Sequence, residues 1–254
     1  FTPIVHPSPE ALGEVYSVWQ LKDRSLLFGA HRGQVLKKRA GSSTFSLEAS
    51  IFPQAPVYDI LEDKDGDVWL GSGFQGIARY TKGKVQVYTK QQGLRDNTNL
   101  FFLCTKSGEL FTGGDDGITR IIKSPGHKTG FKNYFVATGS NNYITFKTGI
   151  ETPGGQLLFG SNAGIFELRN DSLQSVRIVG SKRTNFFVTD IQLDSKGLAW
   201  ISTTGDGILI CSFEQNGTIK LLKQLTETTG LASMIYLDLL IDRQQATWAI
   251  SHAG

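Results

Sequence analysis

Few side chains in this sequence have both the type and the spacing for covalent chemistry. The four histidines are His6, His31, His127 and His252, and none forms an H-E-x-x-H pair; no G-x-S-x-G string occurs either. Asp63, Asp65 and Asp67 alternate like the start of a calcium loop. An EF-hand would then need Gly at its sixth position and Glu at its twelfth, where this chain has Val68 and Phe74. A solvated hairpin turn is the expectation there, with no metal and no cofactor. Cys104 and Cys211 fall two repeats apart, too far to pair, and read as buried free thiols.

What remains is recognition, and the composition says on what scaffold. The chain has 254 residues, 39% hydrophobic and 19% charged, so it folds. Its 29 glycines follow no period of three and so point to many tight turns between short strands. The 16 Phe and 4 Trp favour strands over helices. A net charge of +3, with no basic block longer than Lys37-Lys38-Arg39, argues against nucleic acid. No run of about 18 apolar residues is present to span a bilayer. Phe1-Thr2-Pro3 has no leader pattern, so any signal peptide is expected to be removed or to lie upstream.

An internal repeat sets the architecture. The aromatic residue of a second strand recurs as Phe28, Trp69, Phe111, Phe159, Trp200 and Trp248, spaced 41, 42, 48, 41 and 48 residues apart. A glycine follows each, at Gly33, Gly76, Gly117, Gly164, Gly207 and Gly254. In the clearest copy, Val57 to Leu61 reads as strand A and Asp65-Gly66 as a hairpin turn. Val68 to Leu70 is strand B, Ile77 to Tyr80 strand C and Val85 to Tyr88 strand D. Four antiparallel strands per copy make one propeller blade. One sheet cannot cover both its faces, so stacking is expected to bury the aromatic of every strand B.

The expected fold is therefore all-β: a β-propeller of four-stranded antiparallel blades. Five are complete and a sixth begins, centred near 12–50, 57–90, 98–136, 142–180, 187–224 and 235–254, in one domain or the N-terminal portion of one. The sixth copy reaches Gly254 before its strands C and D, which suggests a piece of a larger ring. Alternatively Ile4-Val5 adds a strand to the last blade.

The string from Ile60 to Ser72, followed by Gly76-Ile77-Ala78-Arg79-Tyr80, resembles the two-component-regulator propeller repeat, of form I-x-x-D-x-x-G-x-hydrophobic-W-hydrophobic-G-T, then G-L-x-R-Y. Tyr88-Thr89-Lys90-Gln91-Gln92-Gly93-Leu94 and Leu225-Thr226-Glu227-Thr228-Thr229-Gly230-Leu231 resemble the family's link between blades. Copies one, three and four are degenerate. The resemblance implies the periplasmic sensor region of a membrane-anchored hybrid histidine kinase. It further implies neighbouring propeller and Ig-like domains in the same protein, and a breakdown product of a polysaccharide as ligand.

In a propeller, the B–C turns and the D–A links gather around one mouth, and function on a rigid scaffold tends to sit in such loops. The turns offer His31, Arg32, Phe74, Gln75, Asp115, Asp116, Asn162, Asp206 and His252. The links offer Asn97, Asn142, Arg183 and Tyr236. Amides and carboxylates suit sugar hydroxyls, and aromatic faces suit the C–H side of the ring. The leading expectation is a non-catalytic sensor of a small molecule or oligosaccharide. A protein-interaction scaffold, with a homodimer among its forms, is the second reading. The third is a lyase-like enzyme, because streptogramin lyase has a loosely similar repeat and uses His with magnesium; two lone turn histidines match that poorly.

Overall fold

The computed structural model describes residues 14–81, 83–124, 129–136, 143–214 and 217–251. Five sheets follow one plan. The first holds β1 (Val15–Gln20), β2 (Leu26–Ala30), β3 (Gln34–Lys38) and β4 (Phe45–Ser50). The second holds β5 (Val57–Glu62), β6 (Val68–Ser72), β7 (Ile77–Thr81) and β8 (Lys84–Tyr88). The third holds β9 (Phe101–Cys104), β10 (Leu110–Gly114), β11 (Gly117–Lys123) and β12 (Thr129–Tyr134). The fourth holds β13 (Phe146–Glu151), β14 (Leu157–Ser161), β15 (Gly164–Arg169) and β16 (Ser172–Val176). The fifth places β17 (Ile178–Val179) beside β18 (Val188–Leu193), β19 (Ala199–Thr203), β20 (Ile208–Phe213) and β21 (Ile219–Leu225). The last described pair is β22 (Tyr236–Ile241) with β23 (Thr247–Ser251). In each sheet of the plan, neighbours in sequence are neighbours in space, so these are β-propeller blades. The exception is β17, which joins β21 in parallel and gives blade five an unforeseen fifth strand.

The chain divides into two compact units. One comprises residues 1–114 and 118–133, the other 115–117 and 134–254. In the first, Leu27, Val35, Val57, Ile60 and Leu70 fill the seam between blades one and two, and Trp69, Ile77, Phe102 and Leu110 the next seam. In the second, Leu158, Ile165, Val188, Ile191 and Ile201 join blades four and five, and Ile208, Tyr236 and Leu239 join blades five and six.

The pairing corrects the repeat by one residue in two copies. Leu61 pairs with Trp69, Trp19 with Leu27, and Ile150 with Leu158. Leu27 and Leu158, not Phe28 and Phe159, thus hold the tryptophan position. Phe28 and Phe159 lie on the opposite face of their strands, because successive strand residues alternate. Burial is also uneven. Trp69 is 0% exposed, Trp200 is half-buried and Trp248 is 49% exposed.

The Asp63 turn is not the solvated hairpin expected. Asp63 is 1% exposed and its carboxylate organises the turn. Oδ1 accepts from the N–H groups of Asp65 and Asp67 at 2.9 and 3.0 Å, and Oδ2 accepts from Trp69 Nε1 at 2.9 Å. Lys123 Nζ reaches the same oxygen at 2.8 Å. Burial alone would push this carboxyl up; the bonds from Lys123 and Trp69 outweigh it and hold the pKa below the usual value. Asp67, 6% exposed, accepts from Arg79 Nε at 2.9 Å, and Arg79 lies over the Trp69 ring at 5.6 Å. The acidic residue and tryptophan six apart are therefore one device, repeated as Asp194 with Trp200 at 3.2 Å and Asp242 with Trp248 at 2.9 Å. In blades three and four, where the tryptophan is lost, threonine stands in for the aspartate: Thr105 and Thr152 Oγ1 accept the turn N–H from Glu109 at 2.9 Å and Gln156 at 3.1 Å.

A second repeated position lies at the start of strand A. Chain register shifts between Val15 and Ser17, Val57 and Asp59, Phe146 and Thr148, Val188 and Asp190, and Tyr236 and Asp238. Past the first four of these bulges a polar side chain links to the following blade. Asp59 Oδ2 accepts from Phe102 N–H at 2.6 Å, Ser17 Oγ donates to the Val57 carbonyl at 3.0 Å, and Thr148 Oγ1 donates to Asp190 Oδ1 at 2.8 Å. Opposite this position strand B carries Gly29, Gly71, Gly160, Ser202 and Ile250. Small residues are needed because the next blade presses there. A methyl added at Gly71 would stand 2.7 Å from the Asn99 carbonyl oxygen, and one at Gly160 only 2.5 Å from Val188 Cγ1.

Candidate functional site

Within each unit the B–C turns and the D–A links are stitched together by backbone bonds. In the first unit Gly73 N–H donates to the Pro56 carbonyl at 3.1 Å, and Gly76 N–H to the Asn97 carbonyl at 2.8 Å. In the second, Asn162 N–H donates to Thr145 O, Thr204 N–H to Phe187 O, and Gly205 and Gly207 N–H both to Met234 O, all at 2.9–3.1 Å. Each unit thus presents a fixed rim of turns and links, the arrangement expected of a binding face.

On the first rim the nominated residues divide by role. Asn97 is structural: its Oδ1 accepts from Lys90 N–H at 2.8 Å and fixes a short 3-10 turn. Gln75 is also tied down, with Nε2 donating to the Pro53 carbonyl at 2.9 Å. Phe74, by contrast, is 56% exposed at the tip of a turn braced by Ser72. Ser72 Oγ accepts from Gln75 N–H and donates to Gly76 O, both at 2.8 Å. Exposed His31 stacks on Tyr16, with centroids 6.0 Å apart and planes at 30°. Arg32 is exposed beside it.

Sequence reasoning missed Tyr16, Tyr58 and Glu14. Tyr16 and Tyr58 are the bulge residues of β1 and β5, and a bulge re-aims the side chain it adds. Their rings meet edge to face at 5.2 Å. Tyr16 hydroxyl donates to Glu14 Oε2 at 2.7 Å and lies 3.3 Å from His31 Nδ1. The Glu14 hydrogen bond, aided by burial, raises the Tyr16 pKa to about 12, so the phenol stays protonated. The signal for both tyrosines was their shared place one residue before Ser17 and Asp59.

On the second rim the nominated side chains mostly hold one another. Thr145 connects Asp115 and Asn162: its Oγ1 donates to Asp115 Oδ1 at 2.8 Å and its N–H to Asn162 Oδ1 at 3.1 Å. Arg183 and Asp206 form an ion pair in which Asp206 is buried and Arg183 exposed. Asp116 takes a left-handed backbone conformation, φ 63°. Tyr236 is not in a link: it opens β22, is 4% exposed, and gives its carbonyl to Thr189 Oγ1 at 2.7 Å. Asn142 and His252 lie outside the described residues, as do Ile4 and Val5.

Among the described residues no group of three or more His, Cys, Asp or Glu is placed to hold a metal ion. Cys211 is buried, which pushes its thiol up to about 12; Cys104, expected buried, is only partly so, and burial raises it too. Neither has the lowered pKa of a nucleophile. No helix among the described residues is long and apolar enough to cross a membrane.

Comparison with known proteins places the motif. The family model "Two component regulator propeller" matches residues 51–74, which span β5, β6 and the Asp63 turn. No curated protein matches the chain. Among solved structures, the extracellular domain of BT3049 from B. thetaiotaomicron, assigned to a hybrid two component system, is similar with TM-score 0.60 and 19% identity. That match covers 92% of this chain and 38% of BT3049's. PorZ of Porphyromonas gingivalis, a surface component of the type-IX secretion system, gives 0.73 at 17% identity, over 97% of this chain and 39% of its own. Virginiamycin B lyase from Staphylococcus aureus gives 0.73 at 16% identity, over 97% and 80%. The chain therefore spans about two fifths of BT3049 and of PorZ. At these identities the likeness is one of fold.

Proposed function

The chain carries a two-component regulator propeller repeat, and we propose that it senses a ligand outside the cytoplasm as part of a hybrid two-component signalling protein. Its ligand is an oligosaccharide, and the segment itself performs no catalysis. The observation that carries this reading is the pair of rims. Turns and links are fixed by their own backbone bonds, so their outward side chains are held ready and binding orders little. Exposed Phe74, Tyr16, His31 and Arg32 supply ring faces and hydrogen-bonding groups on one of them. Signal passes onward through neighbouring propeller and Ig-like domains. Calorimetry with a panel of neutral and acidic glycan fragments tests the reading; heat from at least one fragment is expected, and silence from the whole panel overturns the oligosaccharide.

A further inference from the structure

Phe74 is a costly residue to leave in water. Its turn cannot swing to hide it, because Gly73 is bonded to Pro56, Gly76 to Asn97, and Ser72 braces both sides of the tip. A side chain already held in place loses little freedom when a ligand covers it. The Tyr58 ring packs against the same turn one residue before Phe74: a methyl added at Gly73 would stand 3.0 Å from Tyr58 Cε2. Tyr58 meets Tyr16 edge to face, and Tyr16 stacks on His31. Tyr58, Tyr16 and His31 thus form one aromatic row inside the first unit, with the Phe74 turn beside Tyr58 at one end and the Glu14 carboxylate and the Tyr16 hydroxyl at the other.

We infer that this row is the ligand platform and that it takes an uncharged pyranose. The inference rests on the oligosaccharide reading above and specifies its site and class. Sugar rings present an apolar C–H face that aromatic rings cover, and hydroxyls around their edge. Glu14 accepts hydroxyl hydrogens, and the protonated Tyr16 phenol and His31 ring nitrogens supply further partners. The Glu14 carboxylate and the exposed Arg32 beside His31 carry opposite charges, so the row has no net charge to match an acidic sugar and suits a neutral one. Both tyrosines reach the row because a strand bulge adds them at the same point of consecutive blades.

The test uses the 254-residue chain and two sets of probes: neutral gluco-, manno- and galacto-tetrasaccharides, and oligogalacturonates. Titrations are run on the parent and on Tyr16→Ala, Phe74→Ala and Tyr16→Phe. Tyr16 and Phe74 are exposed, so melting curves should change little. The expected result is binding of a neutral probe, weakened at least tenfold in both alanine variants and only a few-fold in Tyr16→Phe. A neutral binder indifferent to both alanine variants overturns the site but leaves sugar sensing standing. Binding restricted to oligogalacturonates overturns the neutral class. No binding by any probe removes the oligosaccharide reading and this inference with it.

Discussion

Asp190 and Asp238 share one backbone N–H. That of Leu239 points to Asp238 Oδ1 at 2.8 Å and to Asp190 Oδ2 at 3.3 Å, so two carboxylates at equivalent places in successive blades compete for a single donor. Asp190 also takes Thr148 Oγ1 and, at 2.9 Å, Gln192 Nε2. Asp238 has fewer compensations. Asp238 lies on an exposed stretch of β22, yet the protein around its carboxyl desolvates it; this, and then the Asp190 charge, raise its pKa to about 6. A carboxyl raised on folding contributes stability that is complete below its unfolded value, near 3.8, and is lost as pH rises through 6. Melting temperature should therefore fall between pH 4.5 and 7, on the side of the pH scale where Asp63, held below its usual value, stays ionised throughout. Asp238→Asn should flatten that fall; melts that keep the parent's slope refute the pairing.

Equivalent tryptophans should differ in worth. Trp69→Ala removes a fully buried ring and the partner of Asp63, at about 3–5 kcal/mol. Trp248→Ala, half in solvent, should cost about 1 kcal/mol or less. Urea unfolding of the two variants compares them, and equal midpoints would contradict the register.

Asp63→Ala strands the Trp69 indole and two turn N–H groups together and leaves Lys123 with Asp65 alone of its two carboxylates. A loss of at least ~2 kcal/mol is expected. Asp63→Asn, which still accepts through its carbonyl oxygen, should retain part of it. Chemical denaturation of both variants decides, and an alanine variant as stable as the parent would show the turn to be held by its backbone alone.

Gly160→Ala places a methyl against Val188 across a blade seam and should cost roughly 1–3 kcal/mol through overpacking. Backbone φ is not the reason, since Gly160 is not among the positive-φ glycines. Thermal unfolding within a degree of the parent would mean that the blades can part there freely.

The blade repeat was legible because its signals are local: Asp-x-x-Gly turns, aromatic strands and near-constant spacing. Its exact register was not. An aromatic was preferred over a leucine at 28 and 159, although Gly-Ala and Gly-Ser after them align with Gly71-Ser72 and place Leu27 and Leu158 with Trp69. With that shift the spacings become 42, 42, 47, 42 and 48. Rim residues were located correctly as turns and links where described, apart from Tyr236. What those side chains do there was not legible, because Arg183 with Asp206 and Asp115 with Thr145 are partners 23 and 30 residues apart. Tyr16 and Tyr58 escaped for another reason: alternation assumes an unbroken strand, and a bulge breaks it. Parallel β17 depends on a partner strand about forty residues later and leaves no periodic trace.

Ile250 breaks the rule that lets neighbouring blades nest. Glycine or serine stands there in the blades whose next neighbour is described within the same unit, and the neighbour's first strand slides into the notch. With a branched side chain filling that notch, anything laid over β22 and β23 must stand off by the thickness of an isoleucine or cross at another angle.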